Sequence, residues 1–228
     1  MKARSSPTRQ LDDQAQVVRA GQAAADAVRG VVVVVDQTGS PQTVDWATHW
    51  AAETHQRLTV LPRGRWAEST GSQVSSIIAD AGVAAVLFAG PRNPTPRGPV
   101  MILPEGAFCP PEDGPVVVAA DGLAGCALPL GVAFASAQRL GVPVRVTPLA
   151  RNDQAGVDRV HEAVEMFAEC YPDVPATVGP AAELAAIVKD ERAQLVVTGV
   201  MVYGRRSRPR RSPVADARMP VVLVNLAA

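Results

Sequence analysis

A run of five valines closed by an aspartate, VVVVVD over Val31 to Asp36, returns later in the chain as VVVAAD over Val116 to Asp121. Neither run alternates between apolar and polar residues. Each therefore predicts a central strand buried on both faces, as in a parallel sheet covered by helices. Each leads through a short glycine-containing turn into a helical stretch. A second pair of segments follows in the same order, GSQVSSIIADAGVAAVLFAG from Gly71 to Gly90 and GPAAELAAIVKDERAQLVVTG from Gly179 to Gly199. The same order of elements, met twice, predicts two related α/β units on one polypeptide, the first about one βα unit shorter than the second.

The division that follows from this repeat has four parts. Residues 1–29 are an N-terminal tail, rich in Ser, Arg and Pro at its start, with a helix over Leu11–Val28 that Gly21 weakens. Residues 30–104 form a shortened first unit, with strands at Val31–Val35, Leu58–Leu61, Ala84–Ala89 and Val100–Leu103 and helices at Thr43–His55 and Val74–Ala81. Residues 105–114, rich in Pro, Gly and acid, are the linker. Residues 115–228 form the more complete unit. Its expected strands are Pro115–Ala120, Pro143–Pro148, Ala176–Val178, Leu195–Thr198 and Val221–Val224. Its expected helices are Ala127–Leu140, stopped by Gly141 at the C-terminal cap, Val157–Cys170 with Val160, Val164 and Phe167 on one face, and a third with Pro180 in its first turn. Alternating strands and helices with short links predict parallel, doubly wound sheets with right-handed crossovers.

Composition narrows the functional classes. Lys plus Arg equals Asp plus Glu at 22 each, which leaves no global field for nucleic acid or an anionic membrane. Aromatic residues are 4% of the chain, so its core is built mainly from small aliphatic side chains. The three cysteines, Cys109, Cys126 and Cys170, show no metal-binding or disulfide spacing, and a reducing cytoplasm fits them. Cys170 at a helix end reads as a partly buried structural thiol. The basic N-terminus lacks the apolar core of a secretory signal, and no apolar run approaches the roughly 18 residues of a bilayer span. His49 and Glu53, four apart, read as a surface ion pair. The hydroxyl-rich patch from Ser69 to Ser76 has no histidine and acid placed to activate it.

The strand ending in Asp, the helix after it, the YPDVP segment (Tyr171–Pro175), the Gly-Pro-Ala turn (Gly179–Ala181) and LVVTG (Leu195–Gly199) together resemble the universal stress protein family. The resemblance covers roughly Gly30 to Val224 as two tandem copies. It implies a Rossmann-like fold of the adenine nucleotide alpha hydrolase-like (HUP) kind. It also implies an intramolecular pseudo-dimer joined through the last strand of each unit, Val100–Leu103 against Val221–Val224. For many members it implies ATP at the carboxyl ends of the strands.

In open parallel sheets ligands sit beyond the carboxyl ends of the strands. The expected binding positions are Asp121, Gly199, Gly204, Arg205, Arg206 and Ser212. Asp121 could accept hydrogen bonds from an amino or hydroxyl group, or it could cap the next helix; Asp36 is its weaker counterpart. The family's nucleotide loop places a second glycine three residues after the first, and a third ten further on, followed by Ser or Thr. Here those positions hold Val202, Ser212 and Pro213, and Gly204 is out of register. A valine where φ must be positive costs on the order of 1–3 kcal/mol. Two lost hydrogen bonds to a charged phosphate weaken binding by roughly two to four decades. The arginines of 205–211 could replace those donors with guanidinium forks or remain a solvated loop.

The expected function is that of a non-enzymatic, universal-stress-like regulatory or scaffolding protein of the cytoplasm, with ATP binding lost or weak. No catalytic residue, metal or obligatory cofactor is expected. The alternative is a sensor that binds an adenine nucleotide or phosphorylated metabolite at low affinity through the second unit. Expected partners are the chain's own other half, a further copy of the chain and a regulatory protein of unknown identity, with neither membrane nor nucleic acid among them.

Overall fold

The computed structural model describes residues 30–35, 57–62, 85–88, 100–102, 113–122, 125–190, 192–200 and 217–225, with isolated helical positions at Gln16, Arg19, Asp45, Thr48, His49 and Ala52. The expected helix at Val74–Ala81, the linker 105–114 up to Asp113 and the loop from 201 to 216 lie outside the described residues.

Nine strands form one sheet. They are β1 (Gly30–Val35), β2 (Arg57–Pro62), β3 (Ala85–Phe88), β4 (Val100–Ile102), β5 (Val116–Ala120), β6 (Val144–Pro148), β7 (Ala176–Val178), β8 (Leu195–Val200) and β9 (Val221–Asn225), in the spatial order β2-β1-β3-β4-β9-β8-β5-β6-β7. From β9 to β7 all five strands are parallel. The helices among them are α1 (Ala127–Leu140), α2 (Gln154–Cys170) and the single turn α3 (Leu184–Ile187).

Two-residue periodicity sorts the valines of this parallel sheet between two cores. Val116, Val118 and Ala120 of β5 join Val144, Val146, Leu195 and Val197 in a cluster closed by Leu130 and Phe134 of α1 and Val160, Val164 and Phe167 of α2. Val117 and Ala119 face the other way, with Val196, Val221 and Leu223, toward Ile187, Val188 and Met219. Both faces of β5 are buried, as its unbroken apolar run requires. Aromatic rings join α1 to α2: Phe134 stacks on Phe167 at 5.7 Å between ring centroids and lies 5.6 Å from Tyr171.

Helix α1 occupies its expected bounds and ends at Gly141, whose φ of 68° is the left-handed conformation that favours glycine. Three expectations change. Helix α2 begins three residues early because Asp153 caps it, its carboxylate accepting from the Gly156 N–H at 2.8 Å. Pro180 is not in the first turn of a helix. The amide of Ala182 donates to the Pro148 carbonyl and its own carbonyl accepts from Ala150, so the chain stays bridged to the end of β6 and α3 starts only at Leu184. Cys170 is exposed rather than partly buried.

The largest correction concerns the first unit, whose strands do not form a parallel sheet. β1 is parallel to β2 but antiparallel to β3, and β3 is antiparallel to β4. An apolar run marks a strand without fixing its direction, since either direction buries the same side chains. The last strands do meet: β4 runs antiparallel to β9, with Met101 opposite Val222. Following these directions across the sheet, β1 and β2 point opposite to the five parallel strands. The carboxyl end of β1 at Val35 therefore lies at one rim and that of β5 at Ala120 at the other, and Asp36 lies outside the described residues.

Candidate functional site at the carboxyl rim of the parallel sheet

Between β5 and β8 the winding of the parallel strands reverses. From β5 the chain crosses to β6 and β7 on one side, then returns to β8 and β9 on the other. The crevice at such a reversal, beyond the carboxyl ends, is where doubly wound α/β proteins place ligands.

Asp121 follows directly on β5 at this crevice and is 7% exposed. A buried carboxylate is costly unless donors meet it. Arg151, in the loop between β6 and α2, supplies one: its Nη2 lies 2.5 Å from Asp121 Oδ2. The arginine side chain is itself 37% exposed, so the pair joins a buried anion to a cation that reaches solvent. Asp121 is not the N-cap of α1; Cys126 occupies that position and makes no side-chain capping bond.

The backbone around the pair is tightly held. Leu149 N–H donates to the Ala120 carbonyl at 2.9 Å, and Asn152 Nδ2 donates to the same oxygen at 3.1 Å. Asn152 Oδ1 is buried and has no hydrogen-bond partner among the described residues. Arg159 Nε donates to the Gly122 carbonyl at 2.8 Å, drawing the turn after β5 onto α2. Gly122 must be glycine here, because a Cβ would stand 2.0 Å from the Gly156 carbonyl oxygen. Thr198, 3% exposed near the end of β8, donates Oγ1 to the Ala119 carbonyl at 3.4 Å.

Cys126 lies near this rim, and burial displaces its ionisation. Its thiol is pushed up to about 11, chiefly by burial; backbone hydrogen bonding opposes the rise, the Asp121 carboxylate adds to it and the Arg159 guanidinium opposes it. At neutral pH it is a protonated, inert thiol. Among the described residues no group of three or more His, Cys, Asp or Glu is placed to hold a metal ion.

Of the expected binding positions, Asp121 stands at the crevice. Gly199 lies in β8, half-buried and paired in register with Val224. Gly204, Arg205, Arg206 and Ser212 lie outside the described residues. Arg151 and Asn152 were not expected. The signal that could have found Arg151 is a basic residue just beyond the strand that neighbours β5, on the rim that carries Asp121.

The order of the five parallel strands and the aspartate at their reversal define a doubly wound, Rossmann-like α/β protein. No family model and no curated protein matches the chain. Among solved structures, a universal stress protein from Archaeoglobus fulgidus is similar at 16% identity and a TM-score of 0.48, over 84% of this chain and 83% of that one. A mitochondrial ornithine carbamoyltransferase from Coccidioides immitis is similar at 14% identity and a TM-score of 0.23, over 83% of this chain and 70% of that one. No helix among the described residues is long and apolar enough to cross a membrane.

Proposed function

We propose that this chain is a universal-stress-like protein of two tandem units, 30–104 and 115–228, acting as a regulatory or scaffolding module of the cytoplasm without catalysing a reaction. Nucleotide binding in the second unit is lost or reduced to low affinity. The β4–β9 pairing supports an internal pseudo-dimer. Its partners are its own other half, a further copy of the chain and a regulatory protein.

The observation that carries this reading is the Asp121–Arg151 pair. The carboxylate that would receive a ligand's amino or hydroxyl group is engaged by the chain itself. The sequence adds a second reason, since Val202 and Pro213 stand where a phosphate loop needs a glycine and a hydroxyl. The test is calorimetric titration with ATP, ADP and cyclic AMP. The expected result is no binding tighter than about 1 mM, a free energy of only about −4 kcal/mol. Submillimolar affinity that disappears in Asp121→Ala would instead establish the second reading, a sensor of adenine nucleotides or phosphorylated metabolites. The buried acceptor of Asn152 beside Ala120 favours that alternative.

A further inference from the structure

We propose that Arg151 is a built-in occupant of the crevice above β5, an internal plug that a ligand must displace to reach Asp121. This rests on the reading of that crevice as a weakened nucleotide site and supplies the device that weakens it.

Three features of the geometry point this way. Asp121 is 7% exposed at the end of a central strand, whereas the Arg151 side chain paired with it is 37% exposed on a loop. The loop backbone is also anchored independently of the arginine side chain. Asn152 N–H donates to the Leu149 carbonyl at 2.9 Å, Ala150 N–H to the Ala182 carbonyl at 2.9 Å, and Asn152 Nδ2 to the Ala120 carbonyl at 3.1 Å. Opening the pair therefore asks only for rotation of the arginine's own stem and leaves the loop backbone in place. Finally, Asn152 Oδ1 is a second acceptor at this rim, buried and without a partner among the described residues. A buried acceptor left unmet is costly, and a ligand donor would relieve it.

Together these features ask for a ligand rich in hydrogen-bond donors, of the kind adenosine presents with its exocyclic amine and ribose hydroxyls. Arg151 imitates such donors at Asp121. A ligand that needs the pair open binds with an affinity reduced by the fraction of molecules in which it is open. If that fraction is about one in ten, removing the arginine tightens binding about tenfold.

Adenosine and ATP are titrated into the full-length protein, Arg151→Ala and Arg151→Ala/Asp121→Asn, with thermal unfolding followed in parallel. Arg151→Ala is expected to bind at least one of the two about tenfold more tightly than wild type, and the double variant to lose the gain. An ion pair that serves only stability would lower the unfolding temperature and leave affinity unchanged. That result, in a variant that still unfolds cooperatively, overturns the plug and leaves the proposed function standing. If Arg151→Ala does not fold, Arg151→Gln decides, because it keeps much of the stem but has no charge to hold the carboxylate. A gain of about threefold in affinity supports the plug on the same argument, and no gain overturns it. Submillimolar, Asp121-dependent binding by wild type overturns the proposed loss of nucleotide binding. Arg151→Ala then still decides the plug by whether affinity rises further.

Discussion

At the scale of single residues, Gly122 and Cys126 show how little slack this rim has. The methyl group of Gly122→Ala would collide with the backbone of Gly156 rather than with a side chain that could turn away. The turn after β5 would have to lift off α2. Overpacking of this kind costs about 1–3 kcal/mol, and a clash with backbone belongs at the upper end. Urea denaturation of Gly122→Ala should show a midpoint shift of that size, and a loss within error of zero would mean the turn does not sit against α2.

Cys126 makes an alkaline prediction. Its folded-state value of about 11 lies above the ordinary 9.0. As pH rises the unfolded thiol ionises first, so stability is lost from about pH 9 and the loss levels off near the folded value. Its full size is roughly 2–3 kcal/mol. Denaturation curves between pH 8 and 11 should show wild type losing more stability than Cys126→Ala. Parallel pH dependence in the two proteins would contradict the burial of this thiol.

At the scale of elements, capping decides where helices begin and end. Asp153→Ala removes the acceptor for the Gly156 N–H. It should destabilise the protein by about 1 kcal/mol, read as a lowered urea midpoint, while Asp153→Asn should lose much less. The boundaries show which parts of the fold the sequence made legible. Helix α1 was readable at both ends, because a glycine follows its last apolar residue and α1 needs a left-handed residue there. The start of α2 was missed because its apolar stripe begins at Val157, one turn inside the capped end. The Pro180 helix was misplaced because only tertiary pairing with Pro148 and Ala150 holds Ala182 extended. Strand direction in the first unit was illegible, since valine side chains do not record which way the backbone runs. Asp121 was readable from its place at a strand end. Its partner was not: the contact joins residues 30 positions apart, through a loop whose sequence resembles any helix approach.

At the scale of the molecule, the seam between β4 and β9 makes the nine strands one sheet. β9 is then an interior strand, paired with β8 on one side and β4 on the other, whereas β7 is an edge. Amide hydrogen exchange should separate the two. Peptides covering Val221–Asn225 should exchange as slowly as those covering Leu195–Val200, and those covering Ala176–Val178 faster. Edge-like exchange of β9 would mean that the seam is not formed in solution.

The reversed run of β1 and β2 has a consequence for occupancy. Any small molecule docking over β5 and any docking beyond Val35 would approach from opposite poles of the sheet. A ligand held over β5 would therefore stand a full strand length away from the end of β1.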